Sequence, residues 1–154
     1  MKNNIEAHTV NWGELRVEAT LENLRKVSEF VRGVGQRLRL TEEVLFDIDL
    51  AVEEASANIV RHAYRPEQAG DILLRVETSN AIVRITLTDW GLPFDPETVT
   101  PFDMHAPVEK RAEGGTGLHL IRSLMDDVVR EATAAAGGPN VLMLSKHVEH
   151  RRAP

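Results

Sequence analysis

The chain has 154 residues, no cysteine and a formal net charge of −6. Disulfides, thiolate catalysis and cysteine-ligated metals are therefore excluded, and the acidic balance argues against a general nucleic-acid binder, which needs clustered Lys and Arg. A chain this long can bury about 70% of the surface it exposes when unfolded, so residues 1–154 are expected to form one domain.

Met1-Lys2-Asn3-Asn4-Ile5-Glu6 lacks the apolar core of a signal peptide, and no run approaches membrane-spanning length, so a cytoplasmic protein is expected. Leu15, Val17 and Ala19 alternate with Arg16, Glu18 and Thr20, the pattern of a half-buried strand. Leu24, Val27, Val31, Val34 and Leu38 recur at helical spacing and predict a helix with one apolar face. Thr41 followed by Glu42 and Glu43 predicts the start of a second helix, capped by the hydroxyl and favoured by acids near its N-terminal dipole. Its buried stripe is Leu45, Ile48, Val52, Ala55 and Ile59. It should stop near Tyr64, because Pro66 disfavours helix in the residue before it.

Strands around Ile72–Val76 and Val83–Leu87, joined by a short turn at Ser79-Asn80, predict an antiparallel hairpin. Residues 90–113 carry Pro93, Pro96, Pro101 and Pro107 and little periodicity; such a loop in a compact domain is usually functional, often a lid. Thr116 to about Asp126 reads as helix, and Val128–Thr133 and Val141–Val148 as strands around Gly137-Gly138-Pro139. The expected architecture is α+β: a two-layer sandwich of a mostly antiparallel mixed sheet with helices on one face.

Three segments concentrate the chemistry. Glu54 and Asn58 stand four residues apart and stack on one side of the second helix, at the rim of its apolar stripe. The carboxylate suits proton acceptance and the amide oxygen suits Mg²⁺, although an ordinary solvated flank has the same composition. Asp89 continues the Val83–Ile85–Leu87 face and so points to the buried side, where a carboxylate needs donors. The exocyclic amine of adenine is such a donor, and Gly91 would let backbone approach the base; a turn-initiating Asp before Gly is the plain alternative. Gly114-Gly115-Thr116-Gly117 opens a helix, where backbone N–H groups converge on anions, or else forms a hinge with Thr116 as cap. Lys110 and Arg111 precede it and are as plausible in plain loop charge as in phosphate contact. No Gly-Lys-Ser/Thr follows the glycines, so this is not a P-loop. His62 falls near the end of the second helix, where the dipole favours a cation, and reads as structural; His119, His147 and His150 show no ligand spacing.

Together these segments resemble the N, G1 and G2 boxes of the GHKL ATPase superfamily. Within it the resemblance is to stand-alone bacterial anti-sigma-factor serine/threonine kinases. It is carried by Glu54-Ala-Ser-Ala-Asn58-Ile-Val-Arg-His62-Ala-Tyr64, by Asp89-Trp-Gly91-Leu-Pro-Phe94-Asp95-Pro96, and by Gly114-Gly-Thr-Gly-Leu-His-Leu-Ile-Arg-Ser-Leu-Met-Asp126. The resemblance implies a Bergerat-type ATP-binding fold with an ATP lid at about 92–114. It implies ATP and Mg²⁺ as cofactors, Glu54 as catalytic base and Asn58 as Mg²⁺ ligand. Asp89 and Gly91 would lie at adenine, and Gly115 and Gly117 near the phosphates. Phe94, Gly114, Thr116, Leu118 and Asn140 complete the implied nucleotide set, Asn140 standing where many relatives carry Thr.

Family members phosphorylate a serine on a small STAS-fold antagonist, many sequester a sigma factor, and dimers are typical. Nucleic acid and membrane are not expected partners. A histidine kinase would need phosphoacceptor helices upstream, and a gyrase-like ATPase would need a downstream domain with a phosphate-binding lysine. The competing expectation from another class is a module that holds nucleotide and sequesters a partner without phosphorylating it.

Overall fold

A computed structural model describes residues 8–93, 115–132 and 137–148, with backbone only for Gly115, Thr116 and Ala132. Strand β1 (Thr9–Glu18) leads through a 3₁₀ turn (Leu21–Asn23) into helix α1 (Leu24–Arg37) and then α2 (Glu42–Asn58). A π-helical turn (Ile59–Ala63) ends α2 and is followed by β2 (Asp71–Ser79) and β3 (Ile82–Asp89). Helix α3 (Gly115–Leu124), β4 (Asp127–Ala132) and β5 (Asn140–His147) complete the described elements.

The five strands form one sheet in the order β1-β2-β3-β5-β4. All its pairings are antiparallel. The mixed sheet expected from sequence is thus fully antiparallel among the described strands. β1 is also longer than the alternation of 15–20 suggests. A bulge between Asn11 and Gly13, with Gly13 at φ 143°, interrupts the alternation that would have revealed its first half.

One face of the sheet is apolar: Ile72, Leu74 and Val76 of β2, Val83, Ile85 and Leu87 of β3, and Leu142 and Leu144 of β5 are buried. Burying each such side chain contributes roughly 1.5–3 kcal/mol. Against this face pack Val27, Val31 and Val34 of α1 and Ile48, Val52, Ala55 and Ile59 continuing from α2, on the stripes expected from sequence; Leu45 of the same stripe is buried against Gly35 of α1. α2 also buries Ala51, Ser56 and Ala57, because it packs against both α1 and α3. Thr41 caps it by accepting from Val44 N at 3.3 Å.

Two polar ties set the helices in place. Asp49 of α2 accepts from Ser28 Oγ (2.8 Å) and Arg32 of α1 (3.2 Å). Lys146 of β5 donates to Leu124 O at the end of α3 (2.5 Å) and pairs with Asp47 of α2 (3.2 Å). The cation meets the carbonyl end of α3, where a helix dipole favours it, and so fixes α3 beside α2.

Candidate nucleotide site

The site is built where α2, the end of β3 and the start of α3 meet. Glu54 and Asn58 are half-buried on α2, at the rim expected from their spacing. α3 brings Gly117 onto them: a Cβ there would lie 3.1 Å from Glu54 Oε2 and 3.3 Å from Asn58 Nδ2. This glycine leaves a cradle over the carboxylate and the amide that any side chain would begin to fill. Gly115 and Thr116 already belong to α3 by their backbone. Leu118 is half-buried on the same helix.

Asp89 ends β3 as the cross-strand neighbour of Ile72 on one side and Asn140 on the other. It is only 7% exposed. Its Oδ1 accepts from Gly91 N (3.0 Å) and from Asn140 Nδ2 (2.9 Å). The Asn140 amide also approaches Gly91 O at 3.2 Å and Leu92 O at 3.4 Å. All three partners are acceptors, which assigns Nδ2 to them. The carbonyl Oδ1 of Asn140 is left buried with no partner among the described residues. A buried unpaired acceptor costs about 1–3 kcal/mol until a donor reaches it. An edge made of a carboxylate and an amide carbonyl suits the exocyclic amine of adenine and fits the ATP implied by the sequence.

Gly91 has a packing role that spacing did not announce. A Cβ on Gly91 would stand 2.1 Å from Ala63 O, 2.5 Å from Ala63 C and 2.7 Å from Ala63 Cβ. The missing side chain makes room for the helical end of α2 at Ala63. The π-helical turn frees the Ala63 carbonyl, which accepts from Leu92 N at 2.6 Å. Tyr64, the only tyrosine in the chain, accepts from Trp90 N (2.9 Å) and donates to Asp71 O (2.6 Å).

Sequence reasoning overlooked Ala63 and Tyr64 as part of the site. The signal available was the aromatic residue that closes the Glu54–Tyr64 run, two residues before Pro66. It also overlooked Arg130 of β4, an exposed residue in register with Leu142. Desolvation lowers the Arg130 pKa from its ordinary value; the Asp89 charge opposes that shift and the Arg122 charge adds to it. Arg130 thus lies within electrostatic reach of both. Behind the site, Arg16 stacks over the Trp90 ring at 4.8 Å and pairs with Asp71 at 2.8 Å. These residues border an open groove of about 650 Å³ that also touches Glu18 and Tyr64. Phe94, Lys110, Arg111, Gly114 and nearly all of the expected lid at 92–114 lie outside the described residues.

A family model for the histidine kinase-like ATPase domain matches residues 17–146. The chain belongs to that family. It is 36% identical over 119 residues to a serine-protein kinase RsbW of Oceanobacillus iheyensis, covering 75% of each chain. It is 34% identical over 119 residues to an RsbW of Bacillus cereus, covering 75% of this chain and 74% of that one. Among solved structures, the RsbU and RsbW domains of Rv1364c from Mycobacterium tuberculosis superpose with a TM-score of 0.63 at 18% identity, over 88% of this chain and 32% of the other. The histidine kinase domain of the blue-light activated EL346 from Erythrobacter litoralis gives a TM-score of 0.52 at 14% identity, over 82% and 60%. Both structures share the fold, which bears out the α+β architecture; the family model bears out the superfamily assigned from the three segments. No helix among the described residues is long and apolar enough to cross a membrane.

Proposed function

We propose that this chain is an ATP-dependent serine/threonine protein kinase that acts as an anti-sigma regulatory factor in the cytoplasm. Its substrate is the serine hydroxyl of a small STAS-fold antagonist, and its second partner is a sigma factor held by a homodimer of the chain. The kinship to serine-protein kinases supports this reading. So does one observation above all: α3 sets Gly117 directly on Glu54 and Asn58, while Asp89 is buried with an acceptor edge at the end of β3.

Asp89 and Asn140 read the adenine amine. The backbone of Gly115 and Gly117, in the first turn of α3, faces the phosphates, where unpaired N–H groups and the helix dipole favour anions. Glu54 accepts the proton of the substrate serine as its oxygen bonds to the γ-phosphorus and the bond to the ADP oxygen breaks. Among the described residues no cluster of three or more His, Asp or Glu stands ready for a metal. Mg²⁺ takes one or two protein oxygens and fills its shell with water and phosphate. The Asn58 side chain, open beneath Gly117, would hold it. When bound, Mg²⁺ neutralises charge on the phosphate oxygens.

The test is transfer from γ-labelled ATP with Mg²⁺ into a host-cell extract, comparing wild type with Glu54→Gln. Wild type should label one small protein on serine. Glu54→Gln should bind ATP with nearly unchanged affinity and label nothing. Transfer that survives Glu54→Gln removes Glu54 as the base. Intact ATP binding with no labelling by wild type identifies a sequestering module instead.

A further inference from the structure

Three consecutive backbone N–H groups follow Asp89, and each has a different acceptor. Trp90 N donates to the Tyr64 phenol, Gly91 N to Asp89 Oδ1, and Leu92 N to Ala63 O. Two of the three acceptors lie at the end of the helical segment that carries Glu54 and Asn58. The phenol itself cannot wander. A Cβ on Gly70 would come within 1.9 Å of its ring, so the ring lies tight against the Gly70 backbone, and its hydroxyl donates to Asp71 O.

We infer that Tyr64 is a positioning residue for nucleotide recognition: its hydroxyl fixes the peptide after Asp89 and so aims the Asp89 carboxylate. This inference rests on the nucleotide reading above. Tyr64 acts through the 89–92 backbone and not by touching nucleotide. Without the hydroxyl, Trp90 N and Asp71 O lose a common partner, the Asp89–Gly91 turn can rotate, and the carboxylate leaves the direction set by Asn140. The β2–β3 ladder, paired as far as Ile72 and Asp89, does not depend on the phenol, so the sheet is expected to persist.

The experiment compares wild type, Tyr64→Phe and Asp89→Asn in the full chain. ATP and ITP dissociation constants are measured by calorimetry, and phosphotransfer is measured at saturating ATP. A hydrogen bond of this kind is worth roughly a factor of two to ten in an equilibrium. Tyr64→Phe should therefore weaken ATP binding about two- to tenfold and narrow the preference for ATP over ITP, with kcat at saturating ATP within about twofold of wild type. Val34→Ala, which weakens the α1 core far from the site, should lower thermal stability without moving the ATP-to-ITP ratio. If Tyr64→Phe leaves that ratio and ATP affinity unchanged while Asp89→Asn impairs both, the positioning role is overturned and the nucleotide site stands. If Asp89→Asn also changes neither, the nucleotide reading itself falls, and the inference with it. Should Tyr64→Phe fail to fold, the Trp90 amide of the wild-type protein decides: slow hydrogen exchange without nucleotide supports the clasp, and exchange at the rate of an open chain overturns it.

Discussion

Replacing Gly91 by alanine separates two accounts of why a glycine follows Asp89. The backbone at Gly91 is not in the left-handed region, which among the described glycines is occupied by Gly13 and Gly137. Its requirement is therefore one of space. An added methyl would lie 2.1 Å from Ala63 O and 2.5 Å from Ala63 C, and these are backbone atoms at a helix end that cannot swing aside like a side chain. Forcing a methyl into packed surroundings costs about 1–3 kcal/mol. Displacing Leu92 from the Ala63 carbonyl forfeits a hydrogen bond of 2.6 Å, worth about 1 kcal/mol. The sum is a loss of roughly 2–4 kcal/mol, which in a domain of this size lowers the melting temperature by roughly 4–15 °C. The assay is thermal unfolding of nucleotide-free protein, with a urea titration to confirm that the midpoint shifts and the slope does not. If Gly91→Ala melts within about a degree of wild type yet binds ATP poorly, the glycine serves the base and not Ala63, and the packing argument is refuted.

Other outcomes follow from the same geometry. A methyl added at Gly33, inside α1, would meet nothing within 4 Å, so Gly33→Ala should stabilise by about 0.5–1 kcal/mol through helix propensity, read as a higher urea midpoint. Gly117→Ala should fold normally, because the nearest atoms are the ends of Glu54 and Asn58 side chains at 3.1 and 3.3 Å; by pressing on both it should cut phosphotransfer about tenfold or more, measured as kcat at saturating ATP. Burial raises the Tyr64 pKa, and the Asp89 and Asp71 charges add to that shift against the hydrogen bonds from Trp90 and to Asp71. With a folded pKa above the unfolded value of about 10, the group's contribution to stability is complete below pH 10 and is lost as pH rises through the folded value. Near-ultraviolet absorbance of this sole tyrosine should therefore titrate above its free midpoint; a midpoint at or below that of the unfolded chain would contradict the half-buried, donating phenol.

The sequence by itself determined what depends on periodicity and local chemistry. The apolar stripes of α1 and α2 and the alternation of β2 and β3 each reflect one element meeting a single apolar layer, so their burial was legible from spacing alone. So was the inward direction of Asp89, because side-chain direction in a strand follows parity. The pairing of Asp89 with Asn140 was not, since register between β3 and β5 is set by side chains distant in sequence packing on a shared core. Nor was the contact of Gly117 with Glu54 and Asn58, which depends on α3 lying beside α2, held there by Lys146 and Asp47. The end of α2 is the sharpest case. Pro66 announced a stop near Tyr64, but only the folded chain turns that stop into a π-helical turn whose free carbonyl and following phenol grip residues 90–92. A backbone carbonyl has no residue-type signature, so the partner it will find is decided by tertiary packing.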